Sequence, residues 1–436
     1  MRQPIAVLLI LLAACSQAVC RPTSASITTL PNGLTVITQE DHTSELVGID
    51  IWVKAGTRFE TRETNGVSHF LEHLLFGVTE KRKAGDMDRE MESLGATLDA
   101  HTNRDYAHFS TTISSRYLTK ALDILSDAVL HSQFPESSVQ MERLVILDEI
   151  ARKQSNANSV CQDLLSASVF GDHPYSLPLE GTAQSIKALS RQDIVDYYHL
   201  HYVPGNIAVV LVGDFDKAAV SAVAAAFGSD TSTAPAKPPQ VTPAARPKSA
   251  SDSVKMDFNN NYLTIGFLGP PAANTDEVCA MDVLVTYLGR GYHSWLSDEL
   301  KVKQGLAQEG SADFVTAHDP GLVSIVAMAP PTHIPRAREA ILGKLAQMGT
   351  VPIDAFELGR AKRSLLGQYA FQDETVGGRA GTLGFYYAVS DPLFAARYEA
   401  NVQAVTADAV RKLAKQYLDR SGAAVIAVGP DQGGSK

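Results

Sequence analysis

Three residues in one stretch of the chain have the types and spacing to do chemistry together: His69, Glu72 and His73 in Gly66-Val-Ser-His69-Phe-Leu-Glu72-His73-Leu-Leu-Phe76. On a helix, residues four apart project from one face, so both imidazoles can reach a single metal ion. Glu72 falls three residues after the first His, beside such an ion rather than bound to it. Two imidazoles with an adjacent carboxylate suit a zinc site in which the acid takes a proton from water. The plainer alternative is a helix that happens to carry two His near a Glu, in a chain with 12 His.

A catalytic zinc needs a third protein ligand, usually a carboxylate, and an open fourth position. Residues 140–150, Gln-Met-Glu-Arg-Leu-Val-Ile-Leu-Asp-Glu-Ile, offer one. Glu142 and Glu149 are seven apart, hence on one helical stripe, amid Leu144, Val145, Ile146 and Leu147. Carboxylates in apolar surroundings are costly unless something cationic meets them. A bland helix would instead turn both acids to solvent.

The elements that must position these groups follow from patterning. The first part of the chain reads as strands at 34–38 and 47–53, a helix at 66–76, a second helix at 85–94 closed by Gly95, and a hairpin over 96–114. Helices follow near 117–131, 135–153 and 160–170. Strands mixed with long helical runs predict an α+β fold, each sheet mostly antiparallel with helices packed on one face. Residues 190–213 align without a gap onto 406–429, a constant offset of 216. Both segments open on an N-cap hydroxyl, Ser190 and Thr406, continue through a helix with apolar pairs (Ile194 with Tyr197, Val410 with Leu413), and end in a buried strand closed by Gly. A Pro-, Ser- and Ala-rich stretch lies between them. Two homologous domains are therefore expected, at 26–228 and 253–430, joined by a linker at 229–252.

At 436 residues and 45% apolar content the chain can bury two to four cores, which excludes a disordered or low-complexity protein. Its net charge of -10 argues against nucleic acid as a partner. Residues 5–14 form an apolar run too short for the ~20 residues of a membrane-spanning helix, so residues 1–20 read as a signal peptide. Leu12-Ala-Ala-Cys15 resembles a lipobox, which makes the expected product a periplasmic protein anchored to the outer membrane by lipid on Cys15. Ordinary cleavage after Ala18 or Cys20 is the alternative. Cys161 and Cys279 read as small buried apolar residues, with pairing open to them in an oxidising compartment.

The inverted His-x-x-Glu-His order, Glu142-Arg-Leu-Val-Ile-Leu-Asp-Glu149 downstream, Leu30-Pro-Asn-Gly-Leu34 and Ala55-Gly-Thr-Arg-Phe-Glu60 together resemble the pitrilysin family, which includes insulysin and the mitochondrial processing peptidase. The match spans nearly the whole chain. The resemblance implies a zinc metalloendopeptidase with one Zn2+ per chain, its ligands His69, His73 and Glu149, its general base Glu72, and Glu142 orienting a ligand. It implies that Phe76 lines the pocket for the side chain after the cut. It also implies that Asp99, Ala100 and His101 lie on an edge strand that pairs with an extended peptide substrate. Relatives usually carry Asn at the place of Asp99 and an aromatic at that of His101, so the pocket departs from the family pattern.

The second copy lacks the metal motif. Where the family supplies an Arg and, seven residues on, a Tyr to the substrate and oxyanion, this chain has Lys301 and Gln308. Lys lacks the bidentate fork and Gln the phenolic donor. Two-domain members close as a clamshell of two chains, this segment facing the other chain's metal. The resemblance thus implies half of a clamshell, completed by a homologous subunit that bears the Arg and Tyr; a homodimer is the alternative assembly. A non-catalytic scaffold or assembly subunit of the same fold is the alternative function.

Overall fold

Each half of the chain builds one large sheet, and the first half adds a two-stranded ribbon. The computed structural model describes residues 24–228, 250–256 and 261–430. In the first half β1 (Ser26–Thr29), β2 (Thr35–Glu40) and β3 (Leu46–Val53) precede α1 (Val67–Leu75), β4 (Val78–Thr79) and α2 (Asp86–Ser93). The hairpin of β5 (Asp99–Thr102) and β6 (Ala107–Ser114) follows, then α3 (Leu118–Leu130), β7 (Ser132–Gln133), α4 (Glu136–Gln154), α5 (Ala157–Phe170), α6 (Ala183–Ala188), α7 (Arg191–His201), β8 (Ile207–Gly213) and α8 (Ala218–Phe227). The second half runs β9 (Ala250–Lys255), β10 (Asn261–Leu268), α9 (Thr275–Gly289), β11 (Glu309–Val315), β12 (Leu322–Ala329), α10 (Ile334–Met348), α11 (Ala355–Asp373), α12 (Val376–Val389), α13 (Ala395–Ala404), α14 (Ala407–Tyr417) and β13 (Ala424–Gly429).

The first sheet has the order β1-β2-β8-β3-β6-β5 and the second β11-β12-β10-β13-β9. Among the described residues only β2–β8 and β13–β9 are parallel, so both sheets are mostly antiparallel. The 216-residue repeat is visible in the elements themselves. Helix α7 and helix α14 begin and end 216 residues apart, capped by Ser190 and Thr406, whose side chains accept from the backbone N–H of Asp193 and Ala409. The signal-peptide expectation at 1–20 and most of the expected linker lie outside the described residues. Ala250 already belongs to a strand, three residues before the expected start of the second domain.

Patterning within one half did not reveal that the second face of each sheet is covered by a helix from the other half. Strand β8 is buried on both sides. Ile207, Val209 and Leu211 join the core of the first half, whereas Ala208, Val210 and Val212 join that of the second, with Ile37 and Trp52. Helix α12 lies on β3 and β8, and α5 lies on β10 and β13. The two exchanges use equivalent positions with opposite shapes. Trp52 stands opposite Ala208 and Gly266 opposite Ala424, 216 residues on; Leu165 and Gly384 hold the same place in two 14-residue helices. A Cβ on Gly384 would sit 1.9 Å from Trp52 Nε1, and one on Gly266 would sit 2.7 Å from Leu165 Cδ1. Bulk on the strand meets a bare helix in one exchange, and bulk on the helix meets a bare strand in the other.

A polar knot adds to this junction. Arg58 Nε donates to Asp319 Oδ2 at 2.8 Å, the His318 N–H donates to Asp105 Oδ2 at 3.0 Å, and the Tyr175 hydroxyl donates to Asp105. Cys161 and Cys279 are free and buried in separate cores, which leaves the pairing alternative without support in the structure.

Candidate metal centre

Helix α1 buries Val67, Ser68, Phe70, Leu71, Leu74 and Leu75, which leaves His69, Glu72 and His73 on its open side. Its start is fixed by a residue that patterning did not single out. Glu60, 1% exposed, accepts from Gly66 N at 2.9 Å, Ser68 N at 3.0 Å and Asn65 Nδ2 at 3.0 Å. Its carboxylate thus does the work of an N-cap from outside the helix, at the positive end of the helix dipole. Burial raises its pKa against those hydrogen bonds. Gly66 itself has φ +93, and a Cβ there would stand 2.8 Å from the Glu180 carbonyl oxygen, so the entry to α1 demands glycine.

Helix α4 packs through Val139, Ile146 and Ile150. The expectation that Glu142 and Glu149 sit in apolar surroundings needs correcting: Leu144 and Met141 are 69% and 66% exposed, and Val145 is exposed too. The two acids lie on the seam between packed and open faces, which α4 turns towards α1. Arg143 draws the helices together, its guanidinium 5.4 Å from the Phe70 ring centroid while it donates to the Leu189 carbonyl at 2.8 Å.

The seam brings His69, His73 and Glu149 into one group, with donor atoms all within 4.8 Å of one another. Glu149 Oε2 lies 3.5 Å from His73 Nε2 and 3.9 Å from His69 Nε2. Donors ~2.0–2.2 Å from a tetrahedral ion stand roughly 3.4 Å apart, so this group fits zinc. Glu142 Oε2 is 3.2 Å from His73 Nδ1, which leaves Nε2 of that ring for an ion. Burial lowers the pKa of His69, helped by His73 and opposed by Glu72, Glu180 and Glu149, and so favours the neutral, ligating imidazole. Among the described residues no other group of His, Cys, Asp and Glu is so placed.

The remaining expected residues are spread around this group. Half-buried Phe76, just past α1, meets Phe109 edge-on at 5.7 Å. Strand β5 forms the end of the first sheet and packs against α1. Along it Asp99 and His101 are exposed, while Ala100 packs on the first core. Lys301 is exposed in the π-helical segment Leu296–Lys303, and Gln308, also exposed, donates its backbone N–H to Met328 O at 2.8 Å, where β11 begins. Neither belongs to the donor group.

The family model for insulinase, peptidase family M16, matches residues 35–183, and that for the peptidase M16 inactive domain matches 188–365. An uncharacterized zinc protease of Mycobacterium leprae is 30% identical over 425 residues, 95% of this chain and 93% of that one. The chain belongs to peptidase family M16. Another relative of this M16 chain is a probable mitochondrial-processing peptidase subunit beta of Arabidopsis thaliana, 28% identical over 93% of this chain and 78% of that one. In fold the M16 chain is similar to a protease from Helicobacter pylori, with TM-score 0.88 at 23% identity over 94% of this chain and all of that one. It is similar too to a peptidase M16 inactive domain from Pseudomonas fluorescens, with TM-score 0.86 at 20% identity over 94% of this chain and 99% of that one. Membership of this zinc protease family supports a peptidase-type role.

Proposed function

We infer that this chain is a zinc-dependent endopeptidase subunit that cleaves peptides or small unfolded chains held extended along β5. The observation that carries the reading is the convergence of His69, His73 and Glu149 beside Glu72, where α1 packs against β5, a sheet end that no strand pairs with among the described residues. Bound by the three donors, zinc supplies Lewis acidity and lowers the pKa of water. Glu142 holds the His73 ring in register through Nδ1. A Glu72 carboxylate oxygen takes the proton from the attacking water and returns it to the leaving amine. The free N–H and C=O groups of β5 hold the peptide backbone, so selectivity rests on few side-chain contacts.

A homologous subunit completes the site. Lys301 and Gln308 stand where the family clamp has Arg and Tyr, and the Arabidopsis relative is by its name one subunit of a processing peptidase. The leader at 1–20 exports the chain to the periplasm, with Cys15 as the candidate lipid anchor.

The test is zinc content together with cleavage of a peptide library, alone and with a homologous partner. One zinc per chain and activity abolished by Glu72→Gln are expected; metal-free protein, or activity surviving that substitution, overturns the reading. For the partner, the expected result is weak activity alone and strong activity in the pair. Full activity of the single chain, unchanged by Lys301→Ala or Gln308→Ala, refutes it.

A further inference from the structure

The edge of β5, free among the described residues, shows two different faces to a chain that pairs with it. Side chains alternate along a strand, so Ala100 and Thr102 turn one way and Asp99 and His101 the other. Ala100 packs on the first core, the side of α1 and Phe76. Asp99 and His101 stand on the opposite face, over Ser110 and His108 in the β5–β6 register. There α12 covers β3, β8 and β6, and Asp99 and His101 remain exposed beyond it.

This outer face is a built surface. His108 stacks on Trp52 at 4.1 Å and hydrogen-bonds Asp50 Oδ2 at 2.9 Å, with Asp50 only 2% exposed. The His101 ring lies 6.4 Å from that of His108. Asp99 is an exposed formal charge on this face, and among the described residues no cation pairs with it. A peptide strand added to β5 would bring every second side chain ~4.5–5.5 Å from Asp99 or His101 in register, and ~7–8 Å on the diagonal.

We propose that Asp99 and His101 select basic side chains, Lys or Arg, at alternate positions of an extended peptide bound along β5. The inference rests on the reading of β5 as the peptide-binding edge. The Asp99 carboxylate pairs with the ammonium or guanidinium group, and a His101 ring nitrogen can accept a further hydrogen bond from it. The residues between them turn to the side of α1 and Phe76, away from Asp99 and His101. The result is a two-residue rhythm of basic and unselected positions.

The experiment scans Lys, Arg, Ala and Glu through each position of an extended peptide. Cleavage is followed by mass spectrometry with the native chain, with its partner where one is found, and binding by fluorescence anisotropy with the Glu72→Gln chain. Lys and Arg are expected to be favoured over Glu by about two- to fivefold at the position in register with Asp99, the size of a cross-strand charge pair, and less strongly at the position two residues away that faces His101. The preference should fade as salt approaches ~1 M. Asp99→Asn should flatten it and Asp99→Lys should turn it towards Glu, both with zinc content and thermal midpoint unchanged. A flat profile in the native chain, or one that Asp99→Lys leaves unaltered, overturns the inference while leaving the peptidase reading intact. Basic preference in binding without any cleavage overturns hydrolysis and leaves the inference standing. Neither binding nor cleavage overturns both.

Discussion

The opposed shapes at Trp52 and Gly384 can be tested by moving the bulk from one side to the other. Gly384→Leu alone would drive a side chain into the indole, because even its Cβ falls 1.9 Å from Nε1 and 2.2 Å from Cδ1. The ring has nowhere to go: His108 is stacked on it and Tyr106 lies 4.6 Å away. Overpacking of this kind costs about 1–3 kcal/mol, here at the upper end. Trp52→Gly alone empties a site that is 3% exposed. Truncating a buried Trp costs about 3–5 kcal/mol, and glycine within a strand adds roughly 0.5–1 kcal/mol. Independent effects would sum to about 7–9 kcal/mol. In the double variant the new leucine fills the space the indole left, as Leu165 fills the space over Gly266, so up to about 3 kcal/mol of that sum should be recovered. Thermal midpoints followed by circular dichroism, with zinc content as a check on the site, would place the double variant close to Trp52→Gly and well short of the full sum. A double variant that loses the full sum of the two single effects would refute the complementarity.

Three further outcomes follow from the site and its supports. Glu142→Gln should keep the shape of the contact with His73 Nδ1 yet weaken zinc binding about 10–100-fold, read by competition with a chromophoric chelator. Glu149→Gln should remove zinc outright under the same assay, with the helices still folded by circular dichroism. Acid sensitivity should trace to His201, which is buried against Tyr197 and Phe59 and whose pKa burial pushes down to about 4, against its contact with the Lys54 carbonyl. Between that value and the ordinary ~6.5 the unfolded chain holds a proton that the folded one refuses. Stability is then complete above ~6.5 and lost as pH falls towards 4, by up to about 3 kcal/mol. His201→Gln should flatten that limb in thermal melts between pH 7 and 4.5.

The metal group was legible in sequence because both helices carry it in local spacing: four residues separate His69 from His73, and seven separate Glu142 from Glu149. The repeat was legible for the same reason, as a constant offset between capped helices. Whether Leu144 and Val145 are buried was not, because a mixed pattern on α4 fixes the stripe but not its orientation. Glu60 escaped notice as a cap, since it reaches the α1 backbone across a loop rather than from the N-cap position. The exchange of α5 and α12 left only a faint trace, the unbroken apolar run of β8, which says that both faces are covered without saying by what.

That exchange also settles which halves can marry. Were two first halves to join, from separate molecules, Trp52 of one would collide with Leu165 of the other; were two second halves to join, Gly266 would face Gly384 across a void. Only unlike halves close without clash or hole. A duplicated chain is always at risk of pairing with its own copies during synthesis, when many identical halves are exposed at once. Here one tryptophan, one leucine and two glycines write a lock and key into each molecule, so that every first half is steered to a second half and never to another first half.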